Sequence, residues 1–96
     1  MDKLYALINK NLTPSQKAVQ AGHAVSKYAS LHPNIDWNEQ YFVYLDASKF
    51  QMEKIIMDCE MNGIKYSTFI EPDLDNLLTS MVCIGDGKKF KKFNLI

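Results

Sequence analysis

Four polar side chains recur along one edge of a predicted helix: Gln16, Gln20, His23 and Lys27. Steps of four, three and four residues place side chains on the same side of a helix. The edge therefore presents two amides, an imidazole and an ammonium, which are groups that can donate hydrogen bonds to a ligand or accept them from it. We expect this edge to line a polar site.

Carboxylates form the second candidate group. Glu71, Asp73 and Asp75 lie within five residues of each other, in a segment that follows a predicted strand. Acidic side chains also suit a surface turn, because they hydrogen-bond to nearby backbone. The segment is therefore either an acidic turn or part of a site.

The two groups meet if the chain forms an open sheet of strands joined by helices. In such sheets, ligands collect beyond the carboxyl ends of parallel strands and at helix N-termini. Three segments are predicted to converge there: residues 9–17, the loop after Leu45 and residues 71–76. A carboxylate near Lys17, His23 and the first helical turn would form a pocket with both signs of charge.

The helix that carries the polar edge is predicted over residues 14–31. Thr13 and Gln16 have the spacing of a capping box, and Pro14 suits the first turn. The helix is expected to end at His32, because a residue before proline is biased away from helical geometry.

A stripe of small residues runs along the same helix: Ala18, Gly22, Val25 and Ala29. Small side chains at helical spacing allow a helix to lie close to its neighbour. We expect this stripe to be the face that packs on the sheet.

The rest of the chain predicts one more helix and four strands. Ser48 and Gln51 form a second capping box for a helix over 48–62, which Gly63 terminates. The strands are expected at residues 4–8, 41–45, 64–70 and 79–84. The order is βαβαββ, with the first three strands parallel and the fourth antiparallel to the third. Trp37 is expected to cover a sheet edge.

Composition narrows the class of protein. Ninety-six residues make one domain, and no apolar run approaches the roughly 18–20 residues of a membrane span. The N-terminus has no secretory pattern, so a cytoplasmic location is expected.

Cys59 and Cys83 are predicted to be buried free thiols. No metal site is predicted, because His23 and His32 are far apart and no metal-ligand spacing occurs.

Charge is balanced overall and concentrated locally. Eleven basic residues, all of them lysines, balance eleven carboxylates, and no arginine offers a fork for phosphate. Near the C-terminus, four lysines surround Phe90: Lys88, Lys89, Lys91 and Lys92. This cluster could contact a phosphate backbone or could simply be a solvated segment.

Residues 17–24, Lys-Ala-Val-Gln-Ala-Gly-His-Ala, resemble the helix motif of the type II peptidyl-tRNA hydrolase family. The order of the strands and helices, the His-Pro pair and the late Thr79 strand follow the family as well, so the resemblance covers nearly the whole chain. It implies an α/β protein with three α/β/α layers and a mixed four-stranded sheet whose last strand is antiparallel. It also implies frequent homodimers.

The family hydrolyses the ester between a peptide and the terminal ribose of tRNA, and needs no cofactor. His23, Gln20 and Thr79 match residues of the family. The family lysine lies slightly earlier than Lys17, which replaces it only if the turn shifts. The loop before the last strand is shorter here and has no counterpart of the family's first loop threonine, and the resemblance implies that Glu71 or Asp73 would stand in for the family aspartate.

The resemblance thus predicts the following catalytic candidates: Lys17, His23, Glu71, Asp73 and Thr79. The substrate-binding candidates are Lys10, Gln16, Gln20 and the four lysines near the C-terminus. The expected partners are tRNA or peptidyl-tRNA and a second copy of the chain, without a membrane. His23 could equally bond a neighbouring loop.

Two other classes of function stay open at this point. The first is a non-catalytic relative that binds an RNA end, a nucleotide-like molecule or a protein, as the altered loop favours. The second is a self-assembling accessory protein.

Overall fold

The computed structural model describes residues 3–33 and 42–96, and these form five strands and two α-helices. The strands are β1 (Lys3–Asn9), β2 (Phe42–Ala47), β3 (Tyr66–Glu71), β4 (Leu77–Gly85) and β5 (Asn94–Leu95). The α-helices are α1 (Pro14–Leu31) and α2 (Lys49–Met61). Short 3₁₀ helices cover Pro72–Leu74 and Gly87–Phe90. Trp37 and the predicted first residue of the second strand, Tyr41, lie outside the described residues.

The sheet is mixed and has the order β3-β4-β1-β2-β5. β1 and β2 are parallel, and β4 lies between β3 and β1, antiparallel to both. The predicted pairing of three parallel strands is therefore wrong, although the α/β class is confirmed. The predicted antiparallel pairing of the fourth strand with the third is confirmed. The other pairing failed because the mostly buried strand β4 takes the place next to β1, so that β3 pairs with β4 and not with β1 or β2.

The predicted count of four strands is also wrong, because β5 pairs antiparallel with β2. Its two residues, Asn94 and Leu95, are too few to produce a periodic pattern in the sequence. Its pairing places the C-terminal segment beside Leu45 and Asp46. This strand forms the edge of the sheet opposite β3.

Alternating residues of β1 pack into two separate cores. Tyr5 and Leu7 join α2 residues such as Met52, whereas Leu4 and Ile8 join the residues of α1. Side chains of a strand point alternately to the two faces of its sheet, so the two helices cover opposite faces. The molecule therefore has three layers.

Both helices begin where their capping boxes predict. The Thr13 hydroxyl accepts from the Gln16 N–H at 3.2 Å, and the Gln16 side chain accepts from the Thr13 N–H at 2.9 Å. The Ser48 and Gln51 pair does the same at 3.0 and 2.8 Å. The bounds of α1 are those that the sequence predicts.

The face by which α1 packs differs from the prediction. Ala18, Gly22 and Ala29 are exposed, and a Cβ built on Gly22 meets nothing within 4 Å. The buried residues of α1 are Gln20, Ala21, Ala24 and Tyr28. The prediction failed because burial of the large Tyr28 ring and of the hydrogen-bonded Gln20 amide turns a different face of α1 toward the sheet.

Cys59 and Cys83 are both buried free thiols, as predicted. A hydrogen bond with Cys59 and burial both raise the pKa of Cys83, which keeps that thiol protonated.

Within residues 3–33 and 42–96, no group of three or more His, Cys, Asp or Glu side chains could hold a metal ion. No helix in this part of the chain is long and apolar enough to cross a membrane.

Tyr28 has a buried hydroxyl with no hydrogen-bond partner among the described residues. Its side chain is 2% exposed, and burial raises its pKa to about 12 from the ordinary 10.0. Because the unfolded chain releases this proton more easily, the stability that the neutral phenol contributes is complete below about pH 10 and is lost as the pH rises through 12.

We expect Tyr28→Phe to leave stability at pH 7 almost unchanged and to flatten its fall at alkaline pH. The slope of the unfolding free energy against pH, between pH 10 and pH 12, should differ from that of wild type by an amount that corresponds to up to about one proton released on unfolding. Urea unfolding of both proteins at several pH values measures this. Equal slopes for the two proteins would contradict the assignment.

Candidate functional site

Three side chains from different elements form a hydrogen-bonded chain at the end of the sheet. Thr79 of β4 donates from Oγ1 to Oε1 of Gln20 at 2.7 Å, and Gln20 donates from Nε2 to Oε1 of Glu71 at 3.1 Å. Glu71 is the last residue of β3, and Gln20 lies in the second turn of α1. The structure thus brings together three of the predicted site residues.

The network fixes the orientation of the Gln20 amide. Its nitrogen must face the Glu71 carboxylate, because an ionised carboxylate accepts hydrogen bonds but cannot donate them. The oxygen then faces the Thr79 hydroxyl, which also lies 3.2 Å from the carbonyl oxygen of Phe69. The hydroxyl has one hydrogen to share between these two acceptors.

The three hydrogen-bonded side chains differ in how exposed they are to solvent. Thr79 is fully buried and Gln20 is 4% exposed, whereas Glu71 is only partly buried. Thr79 is therefore held behind Gln20 and cannot reach a ligand at the surface. Glu71 is the member that meets solvent most.

A surface cleft of about 290 Å³ opens beside Glu71. It is lined by Ser15, Gln16, Val19, Gln20, Glu71, Asp73 and Leu74. Ser15 and Gln16 belong to the first turn of α1, where backbone N–H groups and the helix dipole favour negative charge. The cleft therefore has carboxylates on one wall and an electropositive helix start on the other.

The predicted polar edge of α1 lies along β3. The His23 ring stacks on Phe69, with ring centres 4.7 Å apart and an angle of 6° between the planes. Lys27 donates to the carbonyl oxygen of Thr68 at 2.7 Å. The ring nitrogen Nε2 of His32 lies 3.2 Å from the carbonyl oxygen of Tyr66. These contacts satisfy carbonyls of an edge strand and fix α1 on it.

Lys17 lies on another side of α1 and makes an ion pair with Asp46 of β2 at 2.8 Å. Both residues line a separate cavity of about 520 Å³, together with Tyr44 and the C-terminal residues Leu95 and Ile96. The structure thus brings Lys17 next to a carboxylate, but that carboxylate is Asp46 and not Glu71 or Asp73.

The remaining acidic and polar candidates differ in where they lie relative to the cleft. Asp73 is exposed and lines it, whereas Asp75 lies in the β3–β4 turn with φ of 56°. Asn76 follows with φ of 58°, and Asn and Asp tolerate this left-handed geometry better than most residues. Lys10 is exposed just after β1, and its N–H donates to the carbonyl oxygen of Ala47 at 2.9 Å.

Asn9 is a residue that the sequence did not single out by itself. It is 2% exposed and donates from Nδ2 to the carbonyl oxygen of Leu78 at 3.1 Å. Its Oδ1 accepts from the N–H of Asn11 at 3.0 Å. Asn9 therefore joins the end of β1 to the residue before Thr79, and its position at the end of an apolar strand was the available signal.

The four C-terminal lysines lie on the α2 side of the sheet, away from the Glu71 cleft. Lys89 makes an ion pair with Asp58 of α2 at 2.6 Å, and Phe90 lies in the core beneath α2. Lys88, Lys91 and Lys92 are exposed. The predicted catalytic and phosphate-binding groups thus occupy opposite faces of the protein.

The fold is similar to that of a solved protein of unknown function from Agrobacterium tumefaciens strain C58, with a TM-score of 0.75. The alignment covers 99% of this chain and 97% of that chain, at 18% sequence identity. At this identity, the similarity shows the fold alone. No protein-family model and no curated protein sequence matches the chain.

Proposed function

We propose that the protein is an ester hydrolase of the peptidyl-tRNA hydrolase kind, in which Glu71 activates water. The observation that carries this proposal is the Thr79–Gln20–Glu71 chain of hydrogen bonds at the cleft. A general base needs a fixed orientation toward the water that it deprotonates. Gln20 supplies that orientation by binding Oε1, which leaves Oε2 of Glu71 for a water molecule.

The reaction follows from the two walls of the cleft. Water attacks the acyl carbon of the ester while Glu71 takes its proton, and the carbonyl oxygen becomes an oxyanion. The first turn of α1 supports the oxyanion through the N–H of Ser15 and the helix dipole, since the N–H of Gln16 already donates to Thr13. The carbon–oxygen bond to the ribose then breaks, and Glu71 returns the proton to the ribose oxygen.

Other predicted residues support this scheme in different ways. Thr79 and Gln20 are positioning residues, because burial keeps Thr79 from the substrate and Gln20 acts through Glu71. His23 fixes α1 on β3 through Phe69. Lys10 and Gln16 flank the helix start, where the RNA end would enter.

A second candidate is a module that binds without catalysis an RNA end, a nucleotide-like ligand or a protein. The Lys17–Asp46 ion pair favours it, because it holds this ammonium beside β2 and away from Glu71. The residues that line the Glu71 cleft include two carboxylates and no lysine. Formation of a homodimer and a cytoplasmic location stay predictions.

Hydrolysis of an N-blocked aminoacyl-tRNA by the purified protein tests the first proposal. We expect release of free tRNA that increases with protein concentration and with time beyond one turnover. A folded protein that binds this tRNA without hydrolysing it would favour the binding module. A folded protein that neither binds nor hydrolyses it would reject both RNA proposals.

A further inference from the structure

Residues 88–93 have a three-residue repeat, Lys-Lys-Phe-Lys-Lys-Phe, and the first part of it forms a 3₁₀ helix. A 3₁₀ helix has three residues per turn, so residues three apart lie on the same side. Phe90 is the last residue of this helix, and the N–H of Phe93 donates to its carbonyl oxygen at 3.1 Å, so the three-residue spacing continues and the two rings lie 5.8 Å apart.

The two phenylalanines attach this segment to the core. Phe90 is 4% exposed and stacks on Tyr5 with ring centres 4.0 Å apart, and Phe93 packs partly buried against the same cluster. Asp86 caps the 3₁₀ helix by accepting from the N–H of Lys88 at 2.8 Å. The lysines are thus presented by an anchored segment and not by a loose tail.

These lysines share a cavity with one more lysine, Lys54, which comes from α2. The cavity has a volume of about 380 Å³, and its lining contains Lys54, Lys88, Lys89, Lys91 and Lys92. Five of the eleven lysines of a chain with zero net charge therefore face one concave surface. Its lining residues include no carboxylate.

The nearby carboxylates neutralise only part of this charge. Asp58 pairs with Lys89 at 2.6 Å and Asp86 is engaged as a helix cap. Lys91 and Lys92 have no ion pair among the described residues and are exposed. An anion in the cavity would relieve the mutual repulsion of these ammonium groups.

We propose that this lysine cavity binds a polyphosphate group, either as inorganic polyphosphate or as the phosphate chain of a nucleotide. Lysine is a compact charge that binds phosphate without the planar geometry of arginine, so charge and size decide what fits. A volume of about 380 Å³ is in the range of small-ligand pockets. The site lies on the α2 face and does not depend on the Glu71 cleft.

Calorimetric titration of the whole protein with sodium tripolyphosphate, ATP and inorganic phosphate tests the proposal at low and at moderate salt. We expect tripolyphosphate to bind more tightly than phosphate, and we expect its binding to weaken as the salt concentration rises. Comparable binding of ATP assigns recognition to the phosphate chain, and tighter binding of ATP assigns the site to nucleotides. The absence of binding by both polyphosphates at low salt overturns the proposal.

Two charge-matched variants locate the site. Lys91→Gln/Lys92→Gln should weaken tripolyphosphate binding by about tenfold or more, because each exposed ammonium contributes directly to the attraction. Lys49→Gln/Lys65→Gln removes two exposed lysines that do not line this cavity, and should stay within about twofold of wild type. Equal losses in both variants would show diffuse attraction and overturn the site.

Discussion

Glu71→Gln should lower kcat for hydrolysis of an N-blocked aminoacyl-tRNA by about 10²–10⁴-fold, the usual contribution of a general base. The substitution removes the basic oxygen and keeps the shape of the side chain. The new amide oxygen can still accept from Nε2 of Gln20, which Glu71 does now at 3.1 Å. The variant should therefore fold normally and bind tRNA with little change, so that the loss falls on kcat.

Asp73→Asn is the matched control for this experiment. Asp73 lines the same cleft and is exposed, and no described hydrogen bond or ion pair orients its carboxylate. We expect its kcat to stay within about fivefold of wild type, because an unoriented carboxylate contributes little to proton transfer. The reverse result, with Asp73→Asn inactive and Glu71→Gln active, would assign the base to Asp73. Full activity in both would remove the carboxylate mechanism.

The helices of this protein could be predicted because local chemistry determines where they begin. Thr13 with Gln16, and Ser48 with Gln51, form capping boxes whose hydrogen bonds involve residues only three positions apart. Such contacts are encoded in short stretches of sequence. The order of the strands in the sheet could not be predicted in this way, because it depends on how distant segments of the chain compete for places in the sheet. The position of β4 between β3 and β1 follows from that competition and from the short hairpin.

The candidate site was also predictable only in those features that depend on local spacing along the chain. The spacing of Gln20 and His23 predicted that they share one edge of α1, and the structure adds that both contact residues of β3. The sequence could not show that Gln20 is buried, since hydropathy treats an amide as a surface group whatever its partners. It also could not pair Lys17 with Asp46, because a lysine side chain is long enough to reach either side of its helix. Tertiary contacts decide both features.

Thr79→Val should destabilise the protein by about 1–3 kcal/mol, since it leaves Oε1 of Gln20 buried without its donor. Valine fills nearly the same volume as threonine, so packing changes little. Thr79→Ser is the matched control, because it keeps the hydroxyl and removes a methyl group. Denaturant unfolding of the two variants separates the hydrogen bond from the packing, and equal stability of Thr79→Val and wild type would contradict the assigned bond.

The same variant also tests whether Thr79 positions Glu71. If the hydroxyl holds Gln20, and Gln20 holds Glu71, then Thr79→Val should lower kcat more than it raises KM, although Thr79 is fully buried. A double-mutant cycle with Gln20→Met should give an interaction energy for stability of about 0.5–3 kcal/mol, because the two side chains share one hydrogen bond. The kcat losses should be less than additive for the same reason. Additive losses would mean that the two residues act separately, and Glu71 would then need another source of orientation.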